Sequence, residues 1–226
     1  MLDIRRHFSD STPILAINPG GAGLAVGDAL PHYDNAATAL FIDCERTAIG
    51  ITEAAQMARA ARAKGLNTLI RTETDAPGAI VRYLDCGIDA LVVPQVESSV
   101  QCKLLGQLFA NHSTTFARTA FIAQIESVAG HAALDEIMND PHVDAVLIGP
   151  NDLSASMGLA GQPAHPEVLS AVDDIATRLK AYGMPFGLPV TPLSAQNWSA
   201  RGARLFYITL AQILAEGLGS WKKVNQ

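Results

Sequence analysis

The sequence of 226 residues is poor in charge and in cysteine, and it has no long apolar run. Charged residues make up 17% of the chain and the net charge is −6, so no basic stripe of the kind that binds nucleic acid stands out. Cys44, Cys86 and Cys102 are an odd number without C-x-x-C spacing, which argues against a disulfide framework and a zinc site. No apolar segment approaches the roughly 20 residues of a membrane span, and residues 1–10 are too charged for a signal peptide. We therefore expect a cytoplasmic protein that binds neither nucleic acid nor membranes.

Apolar residues make up 49% of the chain and occur in short runs that alternate with alanine-rich helical periods. The strand-like runs are residues 14–18, 39–45, 68–72, 90–96, 119–126, 145–150, 185–190 and 205–210. The helical periods are residues 52–64, 76–86, 98–110, 130–139, 165–182, 194–200 and 212–221. Strands that are almost continuously hydrophobic are buried on both faces, which predicts a parallel sheet. Eight repeats of strand and helix predict a single-domain (β/α)8 TIM barrel over residues 1–226, with a doubly wound sheet as the alternative.

In such a barrel the residues that follow the strands share one rim, and the chemistry is concentrated there. Glu126 follows one predicted strand, and Asp152 follows the next within the block Gly-Pro-Asn-Asp-Leu-Ser at 149–154. Two acids at the same end of successive strands are the minimum that can hold a divalent metal against a small oxygen-rich substrate. The other polar residues at predicted strand ends are Asn18, Asp43, Glu45, Arg46, Arg71, Glu73, Gln95, Gln124 and Asn151. Strand ends are also polar simply because they reach water, but this set of acids, arginines and amides favours an enzyme.

Several segments resemble the metal-dependent class II 2-keto acid aldolases of the HpcH/HpaI type. They are Ile-Asp-Cys-Glu at 42–45, Ile-Arg at 70–71, Leu-Asp-Cys-Gly at 84–87, Val-Pro-Gln-Val-Glu at 93–97, Gln-Ile-Glu at 124–126 and Ile-Gly-Pro-Asn-Asp-Leu-Ser-Ala-Ser-Met-Gly at 148–158. The Gly-Pro-x-Asp-Leu-Ser block is the most specific, and the resemblance spans roughly residues 39–210. The chain is also similar, more loosely, to the citrate lyase β-subunit and to phosphoenolpyruvate-utilising barrels.

The resemblance implies a role for each matching residue. Glu126 and Asp152 match the family's metal ligands, for Mg²⁺ or Mn²⁺. Arg71 matches the arginine beside the keto oxygen of the substrate, where a permanent cation offsets negative charge. Gln124 would orient the pyruvoyl unit by hydrogen bonding, and the helix-start amides of Asn151 and Asp152 could bind its carboxylate. The implied reaction makes or breaks a carbon–carbon bond next to a metal-bound 2-keto acid, through an enolate.

Position 46 departs from the family pattern. The aldolases have a histidine there that acts as general base and is oriented by an aspartate of the neighbouring subunit. This chain has Arg46, which stays protonated at any working pH and cannot take a proton. Asp85 matches the orienting aspartate and could pair with Arg46 across an interface, so the resemblance implies a homo-oligomer. The connection at 108–119 is also shorter than the family's insertion over the site.

Three interpretations of Arg46 are open. It could bind a second carboxylate, which would select a dicarboxylic keto acid such as oxaloacetate, whose decarboxylation to an enolate needs no base. Alternatively, a metal-bound water or another side chain could serve as the base. Finally, Arg46 could only form an ion pair with Glu45, Glu73 or Asp85. We favour the first interpretation.

We therefore expect a divalent-metal-dependent carbon–carbon lyase, of the aldolase or decarboxylase type, that acts on oxaloacetate or a similar 2-keto acid. One alternative is a citrate synthase of the siderophore-pathway type, which joins acetyl-CoA to metal-bound oxaloacetate. A second alternative is a keto-acid-binding paralogue without catalysis. Intact Glu126, Asp152 and Arg71 argue against the second alternative, because a binding protein would not require the complete set.

Overall fold

The computed structural model describes residues 4–9, 13–20, 39–112 and 118–222. Part of the predicted short connection at 108–119, namely residues 113–117, lies outside the described residues. The length of this connection relative to the family therefore stays a prediction.

Eight parallel strands form one closed barrel. They are β1 Ile14–Asn18, β2 Ala39–Asp43, β3 Asn67–Arg71, β4 Ala90–Val93, β5 Ala120–Ile125, β6 Val143–Ile148, β7 Phe186–Pro189 and β8 Leu205–Thr209. The strands follow chain order around the barrel, and β8 closes it by pairing with β1 from Ile14 opposite Leu205 to Asn18 opposite Thr209. The predicted (β/α)8 barrel is confirmed. The doubly wound alternative is wrong, because an open sheet would not pair its last strand with its first.

The described helices are α1 Ile4–Ser9, α2 Ile51–Ala63, α3 Pro77–Leu84, α4 Ser99–Asn111, α5 Val128–Ala132, α6 Leu134–Met138, α7 Pro150–Ser156, α8 Pro166–Tyr182, α9 Pro192–Ala200 and α10 Leu210–Lys222. The single helix predicted at 130–139 is instead α5 and α6, which meet at Ala133. None of the helices in the described part of the chain is both long enough and apolar enough to cross a membrane.

Helix α1 closes the lower end of the barrel, the end at which the strands begin. Ile4 and Phe8, one helical turn apart, are buried and pack with the inward-facing residues of the strands. The helical periods found in the sequence did not include α1, because six residues are too few to display the periodicity of a helix.

The upper end of the barrel, where the strands end, is polar because the last inward-facing residues of several strands are polar. Alternate residues of a strand point into a barrel. The interior apolar residues include Ala16 of β1, Phe41 of β2, Leu69 of β3 and Ile122 of β5. Two positions further along these strands, the same face carries Asn18, Asp43, Arg71 and Gln124. The hydrophobic interior therefore ends in a layer of polar side chains.

Candidate active site

A cavity of about 360 Å³ opens at the upper end of the barrel. Five of the residues predicted for the site line it: Arg46, Arg71, Gln124, Asn151 and Asp152. They come from the ends of β2, β3 and β5 and from the first turn of α7. Residues more than 100 positions apart in the sequence are therefore brought to one cavity by the closure of the barrel.

Asp43 holds Arg71 in a fixed orientation. Nε of Arg71 donates to Oδ1 of Asp43 at 2.9 Å, and Nη2 donates to Oδ2 at 2.6 Å. This bidentate pair is the strongest geometry available to an arginine and a carboxylate. Oδ1 of Asp43 also accepts the backbone N–H groups of Glu45 and Arg46, each at 3.2 Å. Asp43 therefore fixes both the guanidinium and the loop after β2, a role that the sequence did not reveal.

Arg46 pairs with a residue that none of the sequence interpretations named. Its Nη2 donates to Oδ1 of Asp152, and its Nε lies 4.0 Å from Oε2 of Glu45. The Arg46 side chain is 56% exposed at the mouth of the cavity. The hydrogen bond that Arg46 donates to Asp152 raises the pKa of Arg46, so its cationic form is favoured further. The expected partner Glu45 is near, but Asp152 is the main contact.

Glu126 is buried directly behind two residues of the cavity wall, Gln124 and Gly149. Its Oε2 accepts a hydrogen bond from Nε2 of Gln124, and its Oε1 accepts the backbone N–H of Gln95 at 2.9 Å. Burial is the main cause that raises the pKa of Glu126 to about 7, and the charge of Glu45 adds to it. Glu126 therefore has an environment that disfavours its charged form.

Two features of the backbone make room for Glu126. Gln95 has φ of 53°, in the left-handed region that is unfavourable for a residue with a side chain, and this directs its N–H at the carboxylate. A Cβ on Gly149 would lie 2.7 Å from Cβ of Glu126 and 2.9 Å from its Oε2. Only glycine fits at position 149, which gives the Gly-Pro dipeptide of the motif a physical reason.

The first turn of α7 lies at the cavity. The helix begins after Gly149 without a side-chain cap, and Pro150 occupies its first turn. The first amides of a helix have no partner within the helix. Asn151 and Asp152 lie in this first turn and line the cavity, and the binding of a carboxylate by their amides stays a prediction.

Asp85 does not reach the cavity of its own chain. It is exposed just after the C-terminal end of α3, where it lines a separate depression between α2 and α3 with Arg59 and Arg82. Arg46 is not among the residues of that depression. Any pairing of Asp85 with Arg46 would have to be made between subunits.

Acceptor oxygens are in excess around the cavity. Oε1 of Gln124 is buried and accepts no hydrogen bond within the described residues. Oε2 of Glu45 also lacks a hydrogen bond there, although Nη1 of Arg71 lies 2.8 Å away, so that contact is an ion pair without hydrogen-bond direction. Burial raises the pKa of Glu45 even though Arg71 and Arg46 oppose the shift. These oxygens have more capacity to accept hydrogen bonds and to pair with positive charge than the surrounding side chains provide, so they could bind a cation.

The residues fit a hard divalent ion that is held by few protein ligands. The described residues contain no preassembled group of three or more His, Cys, Asp or Glu side chains that could hold a metal. Glu126 and Asp152 could provide two carboxylates, and Mg²⁺ and Mn²⁺ accept a sphere completed by water and substrate oxygens. The like charges of Glu45 and Asp152 act on Glu126, and a cation would relieve them.

The site also includes residues that the sequence did not single out. Tyr207 lines the cavity, and its ring packs edge-on against Phe41 with the centroids 4.4 Å apart. Its hydroxyl accepts a hydrogen bond from Nδ2 of Asn18 at 2.7 Å. Tyr207 was missed because it lies in the middle of β8 and not at its end. The signal that could have found it is the inward-facing position two residues before Thr209.

The chain matches a known protein family along most of its length. The family model described as HpcH/HpaI aldolase/citrate lyase matches residues 33–205. A pyruvate aldolase of Rhizobium etli is 33% identical over 150 residues, which are 56% of this chain and 59% of that protein.

Solved structures show the same fold. An HpcH/HpaI aldolase/citrate lyase family protein from Burkholderia cenocepacia has a TM-score of 0.87 at 22% identity, covering 99% of each chain. The citrate synthase SbnG has a TM-score of 0.84 at 21% identity, covering 100% of this chain and 99% of that one. At these identities the likeness concerns the fold.

Proposed function

Because the chain belongs to the HpcH/HpaI aldolase/citrate lyase family, whose members are divalent-metal-dependent aldolases and lyases, we propose that it cleaves or forms a carbon–carbon bond in a dicarboxylic 2-keto acid such as oxaloacetate. The observation that supports this substrate class is the position of two arginines at one cavity. Arg71 is deep, with 12% of its side chain exposed, and Arg46 is at the mouth. Two permanent cations at two depths suit a substrate with an anionic group at each end.

We propose Glu126 and Asp152 as the residues that would hold Mg²⁺ or Mn²⁺. When bound, the ion would act as a Lewis acid on the keto oxygen and stabilise the enolate. To bind the ion, Asp152 would lose its hydrogen bond from Arg46, and Oε2 of Glu126 would lose its hydrogen bond from Gln124. Gln124 carries a second N–H on the same nitrogen, which is suited to the carboxylate of the pyruvoyl unit.

Arg71 is proposed to offset the negative charge that develops on the keto oxygen. Asp43 binds Nε and one N–H of Nη2, which keeps the guanidinium plane in place. The remaining N–H groups are compatible with donation to a substrate oxygen, and a donor that is already oriented needs no reorganisation when charge develops. The amides of Asn151 and Asp152 would bind the carboxylate next to the keto group.

Arg46 is proposed to bind the second carboxylate of the substrate. Its present partner, Asp152, is a proposed metal ligand, so metal binding would free the guanidinium at the mouth of the cavity. Because Arg46 cannot act as a base, a reaction that begins by loss of a carboxylate group suits this site better than one that begins by removal of a proton.

Asp85 is proposed to act from a neighbouring subunit, in a homo-oligomer of the kind that the family resemblance implies. Its exposed position away from the cavity of its own chain supports a contact made between subunits. Sedimentation of the purified protein would give the oligomeric state, and Asp85→Asn would test the contact.

The proposed function is tested by pyruvate release from oxaloacetate. We expect the protein to release pyruvate faster than a blank that contains the metal alone. This release should depend on Mg²⁺ or Mn²⁺, and EDTA and Glu126→Gln should abolish it. Free CoA that forms only when acetyl-CoA and oxaloacetate are both present would instead indicate a citrate synthase. Binding of oxaloacetate without turnover in either assay would contradict an enzymatic function.

A further inference from the structure

The hydroxyl of Tyr207 accepts a hydrogen bond from Asn18, and Tyr207 lines the cavity. Oδ1 of Asn18 accepts the backbone N–H of Gly20 at 2.8 Å, so the other end of this amide, Nδ2, faces Tyr207 and donates to it. A hydroxyl that accepts this bond keeps its own proton for a different partner. Within the described residues no acceptor takes that proton, and the hydroxyl belongs to a residue of the cavity wall.

The surroundings of Tyr207 suit a group that gives up a proton and recovers it. Burial raises the pKa of Tyr207, so the neutral phenol is the resting form. The hydrogen bond from Asn18 lowers the pKa, the charge of Asp43 raises it, and the charge of Arg71 lowers it. Asn18 and Arg71 would therefore stabilise the phenolate that is left after proton transfer.

The other proton donors of the cavity are engaged or too weak. Oγ1 of Thr47 donates to a backbone carbonyl at the end of β2, and Oγ1 of Thr209 donates to Oε1 of Gln212 at 2.9 Å. The guanidinium groups of Arg46 and Arg71 do not release protons at working pH. No histidine of the described residues lines the cavity.

We propose that Tyr207 is the general acid that protonates the substrate carbon after the carbon–carbon bond has broken. This inference rests on the proposed function. In the decarboxylation of a 3-carboxy-2-keto acid, the C3–C4 bond breaks and C4 leaves as CO₂. The electron pair of that bond stays with C3 and forms the enolate. C3 then takes the phenolic proton while the O–H electron pair stays on the Tyr207 oxygen. Solvent water at the open mouth returns a proton to the phenolate.

The same proton transfer can be measured with pyruvate alone. In D₂O the reverse of this step exchanges the pyruvate methyl protons: the fraction of Tyr207 present as phenolate takes a proton from C3, and the deuterated phenol then returns a deuteron. Proton NMR follows this exchange with the Mg²⁺-loaded protein. We expect Tyr207→Phe to slow this exchange by about 100-fold or more, since general acid–base catalysis contributes about 10²–10⁴-fold. Calorimetry with oxalate, an inert mimic of the enolate, should give unchanged affinity within about threefold.

A second variant diverts the proton without removing the phenol. In Asn18→Asp one carboxylate oxygen can keep the bond to Gly20, and the other can accept the phenolic proton. We expect slower exchange with Tyr207 still present. The matched control is Tyr182→Phe, whose hydroxyl donates to Asn139 on the surface at 2.9 Å and whose loss should leave exchange unchanged.

The outcomes separate this inference from the proposed function. Exchange by Tyr207→Phe at the wild-type rate would overturn the role of Tyr207 while wild-type turnover stands. Loss of oxalate binding in Tyr207→Phe would also overturn it, because the residue would then serve binding and not proton transfer. A wild-type protein that neither exchanges pyruvate protons nor releases pyruvate from oxaloacetate would overturn both.

Discussion

Among the described residues, one carboxylate meets two arginines at the lower end of the barrel, whereas four carboxylates lie with two arginines at the upper end. The lower network is Arg5, Arg118 and Asp144, and the upper network is Asp43, Glu45, Arg46, Arg71, Glu126 and Asp152. With every carboxyl group ionised, the lower network has a formal charge of +1 and the upper network a charge of −2. The charge that would neutralise the six residues of the upper network is that of one divalent cation.

The hydrogen bonds of the two networks differ in the same way. Asp144 accepts from Nε of Arg5, from Nη2 of Arg118 and from the backbone N–H of Phe121, all at 2.9 Å. These bonds tie α1 and the start of β5 to β6. At the upper end, Oε2 of Glu45 and Oε1 of Gln124 are buried without a hydrogen bond in the described part of the chain. The carboxylate of the lower network is fully hydrogen-bonded, which stabilises the fold. The upper network leaves acceptors without a hydrogen bond, and such exceptions are typical of functional sites.

The largest expected difference between the two networks is in metal binding. We expect Glu126→Gln to weaken Mn²⁺ binding by at least about 100-fold, because loss of residues that merely support metal ligands already costs about 10–100-fold. Electron paramagnetic resonance of free Mn²⁺ gives the affinity. Gln124 can turn its amide to offer Oε1 to the new side chain, so the variant should fold normally. Asp144→Asn is the lower-end control, and equal Mn²⁺ affinities in the two variants would contradict the assignment.

Gly149→Ala should impair the upper end through packing alone. The added Cβ would meet Glu126 and would lie 3.2 Å from Nε2 of Gln124. Misplacement of these groups should lower pyruvate release by about 10–100-fold and cost about 1–3 kcal/mol of unfolding free energy. Gly217→Ala is the control, since a Cβ there meets nothing within 4 Å. A Gly149→Ala protein as active as the control would show that Glu126 needs no fixed position.

Asp144→Asn should lower stability and leave catalysis intact. It removes the charge that pairs with Arg5 and Arg118, and hydrogen bonds to charged groups contribute about 1.5–3 kcal/mol. Urea denaturation of the metal-free protein should therefore show a loss of about 1–3 kcal/mol, with pyruvate release per folded molecule unchanged. A larger loss of unfolding free energy for Glu126→Gln than for Asp144→Asn would show that the upper network contributes more to stability than the lower one, which would contradict the comparison.

The smallest expected effect is that of Arg46→Gln on metal binding. If Arg46 takes the place of a divalent cation beside Asp152, its removal should tighten Mn²⁺ binding in the absence of substrate. An exposed ion pair contributes about 0–1 kcal/mol, which corresponds to a change of up to about fivefold. The same variant should raise KM for oxaloacetate and leave pyruvate proton exchange unchanged. Arg5→Gln is the control, and weaker Mn²⁺ binding in Arg46→Gln would contradict the competition.

The sequence located many parts of the upper end without showing how they contact each other. The apolar run at 14–18 coincides with β1, and Arg71 and Glu126 lie at or just after the ends of their strands, as predicted. These predictions succeeded because strand patterns are local. The prediction of one continuous helix at 130–139 was wrong, because an alanine at position 133 gives no sequence signal for a break between two short helices.

The sequence by itself determined the alternation of strands and helices and the positions of acids, amides and arginines after the strands, because hydrophobic periodicity needs only neighbouring residues. Only the tertiary structure decided which side chains pair. Arg46 meets Asp152 across 106 positions, and Asn18 meets Tyr207 across 189. Such contacts depend on the closure of β8 against β1 and on which side chains of each strand point into the barrel, and no local pattern specifies the two together.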